Sequence, residues 1–211
     1  MAGNITQTSI ANRALQLLGY EPISSIHDNN RGARAINRAY IPVLYSELRS
    51  NFWNFAIMRA TLTASTTQPS FGKANYFPLP PDFLDLCMPD QITTYNFGAV
   101  PNVPNNSPAY QDYQIENMGN NTLAIASNMP GPLYIRYISS SVTENVFDVC
   151  FAEAFAASLA MEICEELTQS NSKIATASKM YDDAIEKAKQ RNAFEMKAVV
   201  PPVDRYITVR M

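Results

Sequence analysis

The chain has 211 residues, of which 46% are hydrophobic and 17% charged, and this composition predicts a folded globular protein. The formal charge of −3 argues against a free-standing nucleic-acid binder, which normally carries a basic excess that releases counterions from phosphates. No basic segment leads into an apolar run near the N-terminus, and no run reaches the ~20 apolar residues of a membrane span. We therefore expect neither a secretory signal nor a membrane span.

A first helix is predicted close to the N-terminus. Thr6 or Thr8 is suited to cap it, and Ile10, Ala14 and Leu18 follow at helical spacing. Gly19 stands where a glycine commonly ends a helix. The helix is therefore expected to be short and apolar on one side.

A second, longer helix is predicted to begin after Asp28, a good N-cap residue, and to run to about Phe52. Its apolar positions keep the helical period throughout. Pro42 lies inside this pattern and predicts a kink, because proline lacks the N–H group and clashes one turn back.

The period changes from helical to alternating at Phe55, and residues 55–140 read as a small antiparallel β domain. Alternation near residue 60 and in residues 122–127 and 132–139 predicts strands. Residues 96–109 are rich in proline and asparagine and predict a long exposed loop.

The most apolar stretch of the chain, Val146 to Leu167, is predicted to be a single helix buried on several sides. Aromatic and aliphatic residues recur in it at every fourth position: Phe147, Phe151, Phe155, Leu159, Ile163 and Leu167. Between Glu153 and Glu162 there is no charge, and alanines there would let neighbouring helices approach closely. This helix is expected to be the central element on which the others pack.

A fourth helix is predicted to reach about Phe194 after a polar link, and it should pack beside the central helix as a hairpin. The predicted fold class is therefore α+β: a four-helix α-helical bundle with an inserted small antiparallel β domain. The bundle comprises residues 1–54 and 141–196, the β domain residues 55–140, and an extended C-terminal tail residues 197–211.

The sequence offers few candidate catalytic residues. His27 is the single histidine, and no nucleophile motif accompanies it. Cys87, Cys150 and Cys164 have no metal-ligand spacing and are expected to be reduced core residues, so no metal and no cofactor is predicted.

Asp82 and Asp85 form a pair of carboxylates after two prolines. General acid and base hydrolysis of a glycan needs two carboxyl groups at close range, so a glycan-degrading hydrolase is the alternative function. Turn or capping roles explain such a pair more simply, and we expect no enzyme.

The charged residues of two helices suggest a protein–protein contact. Arginines at i, i+3 and i+7 share one face of the second helix, and glutamates cluster near the negative end of the central helix. An acidic patch on one subunit could meet the basic face of the next, because arginine is favoured for bidentate pairing with carboxylates. The candidate residues are Arg31, Arg34, Arg38, Glu162, Glu165 and Glu166.

The C-terminal tail is dotted with apolar residues and cannot continue the fourth helix after Pro201-Pro202. Two readings stay open: docking of the tail on another subunit, or a frayed terminus. For the docking reading the candidate contact residues are Arg205, Tyr206, Ile207 and Arg210.

Several segments in this order resemble the tail tubular protein A family, the head-to-tail adaptors of short-tailed bacteriophages. They are NRALQLLGYEPISSI (12–26), SNFWNFAIMRATL (50–62), YFPLPPDFLDL (76–86), PLYIRYISS (132–140) and PPVDRYITVR (201–210). Each segment is short, and the resemblance rests on their order over nearly the whole chain. The last departs from the family, which often has an aromatic and a small residue before the final arginine.

The resemblance implies a helical bundle with a β domain that assembles into a homo-oligomeric, dodecameric ring. The ring would lie between the portal protein and the tail nozzle, with tail fibres attached nearby, in the virion tail at the head-tail junction. Viral DNA would pass through its lumen without sequence-specific binding and without a membrane contact, and an acidic wall would let phosphates slide by. The chain would be synthesised in the host cytoplasm.

Overall fold

The computed structural model describes residues 5–87, 113–119 and 121–195. In these ranges the protein is a mixed α and β structure with four long helices and two small three-stranded antiparallel sheets. The helices are α1 (Gln7–Leu17), α2 (Arg31–Ser50), α3 (Val149–Thr168) and α4 (Asn171–Phe194). The predicted loop at 96–109 and the predicted tail at 197–211 lie outside the described residues.

The six strands all fall between α2 and α3 in the sequence. They are β1 (Ile57–Leu62), β2 (Asn75–Pro78), β3 (Phe83–Leu86), β4 (Tyr113–Asn117), β5 (Leu123–Ser127) and β6 (Leu133–Ser139). One sheet has the order β1-β6-β3 and the other β2-β5-β4, and every pairing is antiparallel.

The single β domain predicted from the sequence is thus divided into two sheets. They share a hydrophobic cluster that includes Phe77 and Ile125 from one sheet and Leu133 and Ile135 from the other. Strand β4 was not predicted, because its sequence YQIEN has only one strongly apolar residue in its interior. Alternating apolar residues therefore indicated strands correctly but not which strands pair.

The starts of the first two helices follow from their caps. Thr6 accepts a hydrogen bond from the backbone N–H of Ser9, and the Ser9 hydroxyl accepts one from the backbone N–H of Thr6, so a capping box begins α1. The predicted cap of α2 at Asp28 is wrong, because Asn30 accepts from the N–H of Ala33 instead. Asp28 accepts from the N–H groups of Ser24 and Ser25 and so closes the turn before the helix.

The central helix α3 contacts each of the other three helices, as predicted from its apolar circumference. Its observed bounds are shorter at the start than predicted, since Val146 lies in a 3-10 turn (Glu144–Val146) before the cap residue Asp148. Val146 and Val149 are 50% and 63% exposed, so the expectation that they add to the buried surface is wrong. The space beside Val149 stays open because α1 and α4 do not close over the first turn of α3.

A cluster of aromatic rings fills the space between α2, α3 and the chain leading into β1. Trp53, which follows α2 and is 1% exposed, lies 4.9 Å from Phe151, measured between ring centroids. Its indole N–H donates to the carbonyl oxygen of Glu47 at 2.8 Å. Trp53 therefore joins the helices to the β segment by packing and by a buried hydrogen bond.

Asn192, near the end of α4, forms hydrogen bonds to the chain segment between α2 and β1. Its side chain donates to the carbonyl oxygen of Phe52 at 2.8 Å and accepts from the backbone N–H of Asn54 at 2.8 Å. Asn192 is only 8% exposed, and these bonds satisfy backbone groups that have no partner in a helix or sheet. The last turns of α4 therefore fix where the chain leaves the helical part.

None of the described helices combines the length and the apolar character that crossing a lipid bilayer requires.

Candidate interaction surface

The predicted arginine and glutamate clusters meet within a single chain. Arg31 donates to the backbone carbonyl oxygen of Glu166, and Arg38 donates to the Glu166 carboxylate. Arg31 thus satisfies a carbonyl group at the negative end of α3, and both cations offset the acidic residues gathered there. The pairing that the sequence led us to expect between subunits is therefore formed, for these three residues, inside the subunit.

The other members of the set remain on the surface. Arg34, Glu162 and Glu165 are exposed, and the described part of the chain gives none of the three an ion pair. They keep the role of candidate contact residues that the sequence suggested. The predicted tail contacts Arg205, Tyr206, Ile207 and Arg210 lie outside the described residues.

Two adjoining grooves flank the first half of α3, a feature that the sequence did not indicate. One, of about 770 Å³, lies between α1 and α3, and the other, of about 300 Å³, lies between α3 and α4. Val149 and Glu153 line both of them. Arg13 pairs with Glu153 at 2.9 Å, so a salt bridge crosses between α1 and α3 where both residues line the larger groove.

Together these features make this side of the helical part a candidate contact region for another protein. Exposed Val149 and Met180 provide apolar area, and the Arg13–Glu153 pair provides a polar rim, which is the composition typical of protein interfaces. A valine at the start of an apolar helix gives no sequence signal that distinguishes exposure from burial. We call this region, formed by Arg13, Val149, Glu153 and Met180, the α3 groove surface.

Glu47 is the second residue that the sequence gave no reason to single out. It is 6% exposed on α2, and its two carboxylate oxygens accept from the hydroxyl groups of Ser158 at 2.7 Å and Tyr181 at 3.1 Å. Three helices are therefore joined by one buried carboxylate. The signal that could have revealed it is its position at the buried helical spacing of Tyr40 and Leu44.

The bond to Glu47 also gives a predicted pH dependence. Burial, and then the Glu47 carboxylate, raise the pKa of Tyr181 from 10.0 to about 12. Burial and Glu144 shift the pKa of Tyr40 in the same direction. As the pH rises, the unfolded chain loses these protons before the folded chain does, so the free energy of unfolding should fall between about pH 10 and 12.

Urea titrations at several alkaline pH values check this expectation. The Tyr181→Phe variant should lose stability less steeply with pH than the unchanged protein, whereas Tyr134→Phe, on the exposed face of β6, should keep the original slope. An equal slope for Tyr181→Phe and the unchanged protein would contradict the assignment.

The candidate acid pair Asp82 and Asp85 has a structural setting. The Asp82 carboxylate accepts from the hydroxyl groups of Tyr137 at 3.2 Å and Ser139 at 2.5 Å, and its carbonyl oxygen accepts from the N–H of Ser140. Asp85 accepts from the N–H of its neighbour Leu86. These bonds hold the turn before β3 against β6, so Asp82 has a structural role.

The remaining candidates for chemistry are placed as follows. His27 is exposed in the turn before α2, where its backbone N–H donates to the Ser25 hydroxyl at 3.2 Å. The three cysteines are free thiols, and burial raises the pKa of Cys87 to about 11. Within the described ranges no group of three or more histidine, cysteine, aspartate or glutamate side chains is arranged to hold a metal ion.

The chain matches no protein-family model, and no curated protein shows significant sequence similarity to it.

Proposed function

We propose that the protein is a structural virion protein, a head-to-tail adaptor that forms a ring between the portal protein and the tail nozzle of a short-tailed bacteriophage. The observation that carries the proposal is the order of the elements around α3. Helices α1 and α2 precede the strands, α4 follows α3, and all three helices pack on α3. This arrangement suits a four-helix bundle interrupted by an inserted β domain, the fold that the resemblance to tail tubular protein A implies.

Contacts between the resembling segments add support. Asp82 lies in the Leu79-Pro80-x-Asp82 segment and Tyr137 in the Ile135-Arg136-Tyr137 segment, and the two are joined by a hydrogen bond. Trp53, in the segment at the end of α2, is buried in the helical cluster. Residues that carry the resemblance are therefore among those that make contacts within the fold.

In this proposal the protein has no enzymatic activity and acts by binding other proteins. It forms a homo-oligomer, a dodecameric ring, that contacts the portal, the nozzle and the tail fibres, and viral DNA slides through the lumen. The net charge of −3 suits a conduit, because an acidic wall repels phosphates and holds no DNA in place. The α3 groove surface and the exposed Arg34, Glu162 and Glu165 offer contact area for neighbouring subunits.

Mass photometry of the purified chain, alone and with purified portal rings, tests the proposal. We expect the chain to join the portal and to form a ring of one added subunit per portal subunit. A chain that stays monomeric at every concentration and never joins the portal would refute the proposal. If the chain joins the portal, electron microscopy of the mixture should locate the ring on the portal face that carries the tail.

A charge reversal at Glu165 separates assembly from folding. Glu165 is exposed at the end of α3 and makes no described side-chain bond, so Glu165→Lys should leave the melting temperature within a few degrees of the original value. Ring assembly should weaken, because the variant places a cation where the adjacent subunit is expected to present arginine. Lys179→Glu, an exposed charge reversal on α4, is the matched control. Unchanged assembly by Glu165→Lys would remove this residue from the interface.

A further inference from the structure

The groove between α3 and α4 leaves apolar side chains uncovered on both of its helices. Val149 of α3 is 63% exposed and Met180 of α4 is 36% exposed, and both line this groove of about 300 Å³. Leu17, Ala157 and Ala184 add further apolar lining. Exposed apolar area in a concave surface is typical of a binding site. We call this part of the α3 groove surface the α3–α4 groove.

The same groove presents one anion and one cation to a partner. Asp183 and Lys187 line it, and both are exposed on α4. Neither forms an ion pair with any residue that the structure describes, whereas Glu153 in the same lining is paired with Arg13. A segment that carries both signs of charge beside apolar residues would therefore complement the groove.

The sequence after α4 contains a segment of this kind. Residues 203–211 read VDRYITVRM. Ile207 and Val209 alternate with the polar Thr208, the spacing that directs two apolar side chains to one side of an extended chain. An extended segment of this pattern suits a groove with an apolar floor and a charged rim.

Charges of both signs lie beside the apolar pair in that segment. Asp204 has the sign that Lys187 requires of a partner, and Arg205 has the sign that Asp183 requires. Arginine is favoured for pairing with carboxylates, and rim charges fix register and orientation more than affinity. The segment and the groove are therefore complementary in charge as well as in apolar character.

The connection to α4 is long enough to reach a second copy. α4 ends at Phe194, so the twelve residues 195–206 precede Ile207. At roughly 3.3 Å per residue they span at most about 40 Å, which is comparable to the diameter of a domain of this size. Pro201-Pro202 lies within this length and cannot continue the helix.

We propose that residues 203–211 of one copy bind the α3–α4 groove of the next copy, with Ile207 and Val209 against Val149 and Met180. The inference rests on the homo-oligomer of the proposed function and names a contact between its subunits. A closed ring is built from heterologous contacts, in which each copy presents one surface and receives a different one. The segment and the groove are such a pair, and a segment bound to the groove of its own chain would leave neither for a neighbour.

A cysteine pair tests the contact in the full chain, alone and mixed with portal rings. Cys150 lines the groove as a free thiol, whereas Cys87 and Cys164 are buried. In the Val209→Cys variant, mild oxidation should link the introduced thiol to Cys150 of a second copy, and non-reducing gel electrophoresis should show a ladder of linked chains. Adding Cys150→Ser should abolish the ladder. Phe71→Cys, at a position that is 90% exposed, should give no ladder.

Charged substitutions on the two sides of the contact give a second measurement. Ile207→Asp and Met180→Asp should each raise the concentration for half-maximal assembly by about tenfold or more, because each places a carboxylate in the apolar contact. Thr208→Asp adds the same charge on the other side of the alternation and should change it by less than about threefold. Mass photometry measures the assembly, and a thermal melt of Met180→Asp checks that the subunit stays folded.

Two results would overturn the inference. The disulfide could form only within one chain, which would show that the segment binds its own groove. Alternatively, no link to Cys150 could form in chains that mass photometry shows to be assembled on the portal. That second result would leave the adaptor function standing and assign the segment to another partner, such as the portal. A ladder formed by the chain alone would support the contact even if no complex with the portal formed, so the two proposals fail separately.

Discussion

Replacing Phe155 with alanine should destabilise the protein by about 3–5 kcal/mol, the usual loss for a fully buried phenylalanine. Phe155 is 0% exposed, and its ring centroid lies 5.0 Å from that of Tyr40 in an edge-to-face arrangement. The rings of Phe147, just before α3, and Phe151, within α3, lie 6.5 and 6.2 Å away. The substitution would leave a cavity between α2 and α3 that surrounding helix backbone cannot refill.

Chemical denaturation followed by circular dichroism measures this loss. Phe71→Ala is the matched control, because it removes the same side chain from a position that is 90% exposed. The control should change stability by no more than about 0.5 kcal/mol. If the two variants lose similar stability, α3 is not the centre of the core.

The second large effect is expected at Glu47. Glu47→Ala removes the acceptor for the hydroxyl groups of Ser158 and Tyr181, and it leaves both donors in a partly buried site. Hydrogen bonds to a charged group contribute about 1.5–3 kcal/mol each. The substitution also removes the desolvation cost of burying the carboxylate, which offsets part of this loss. We therefore expect a net loss of about 2–4 kcal/mol in the free energy of unfolding. Glu47→Gln keeps the shape and one acceptor and should lose less.

A double-mutant cycle isolates the bond itself. Glu47→Ala and Tyr181→Phe should show a coupling energy of about 1 kcal/mol, because each substitution removes the same interaction. Glu162→Ala, on the exposed face of α3, should be close to neutral. A coupling energy near zero would mean that the bond between α2 and α4 contributes little, whatever the cost of Glu47→Ala alone.

The helices were predictable because their signals are local. The end of α1 just before Gly19, the continuity of α2 through Pro42 and the end of α4 at Phe194 all follow from spacing, caps and glycine placement. The cap of α2 was misplaced since Asp28 and Asn30 are both good caps. Asp28 is not the cap because its carboxylate bonds to Ser24 and Ser25 in the preceding turn. The spacing of apolar residues in the sequence does not indicate that turn.

The site features were not predictable because they depend on contacts between distant parts of the chain. The pairing of Arg38 with Glu166 requires the observed placement of α2 against α3, and sequence alone allowed the same charges to pair between subunits. Burial of Glu47 among three helices and exposure of Val149 likewise depend on how α1 and α4 lie against α3.

The position of β6 in its sheet has a consequence for synthesis. It is the middle strand, paired with both β1 and β3, yet it is the last of the six to leave the ribosome. The helical core likewise cannot be completed before α3 has been synthesised, and α3 follows every described strand in the sequence. Nascent α1 and α2 therefore lack the surface of α3, and β1 lacks its partner β6, until the second half of the chain emerges, and contacts so distant in sequence form slowly. We therefore expect the first sheet and the helical core to be completed only after most of the chain has been synthesised.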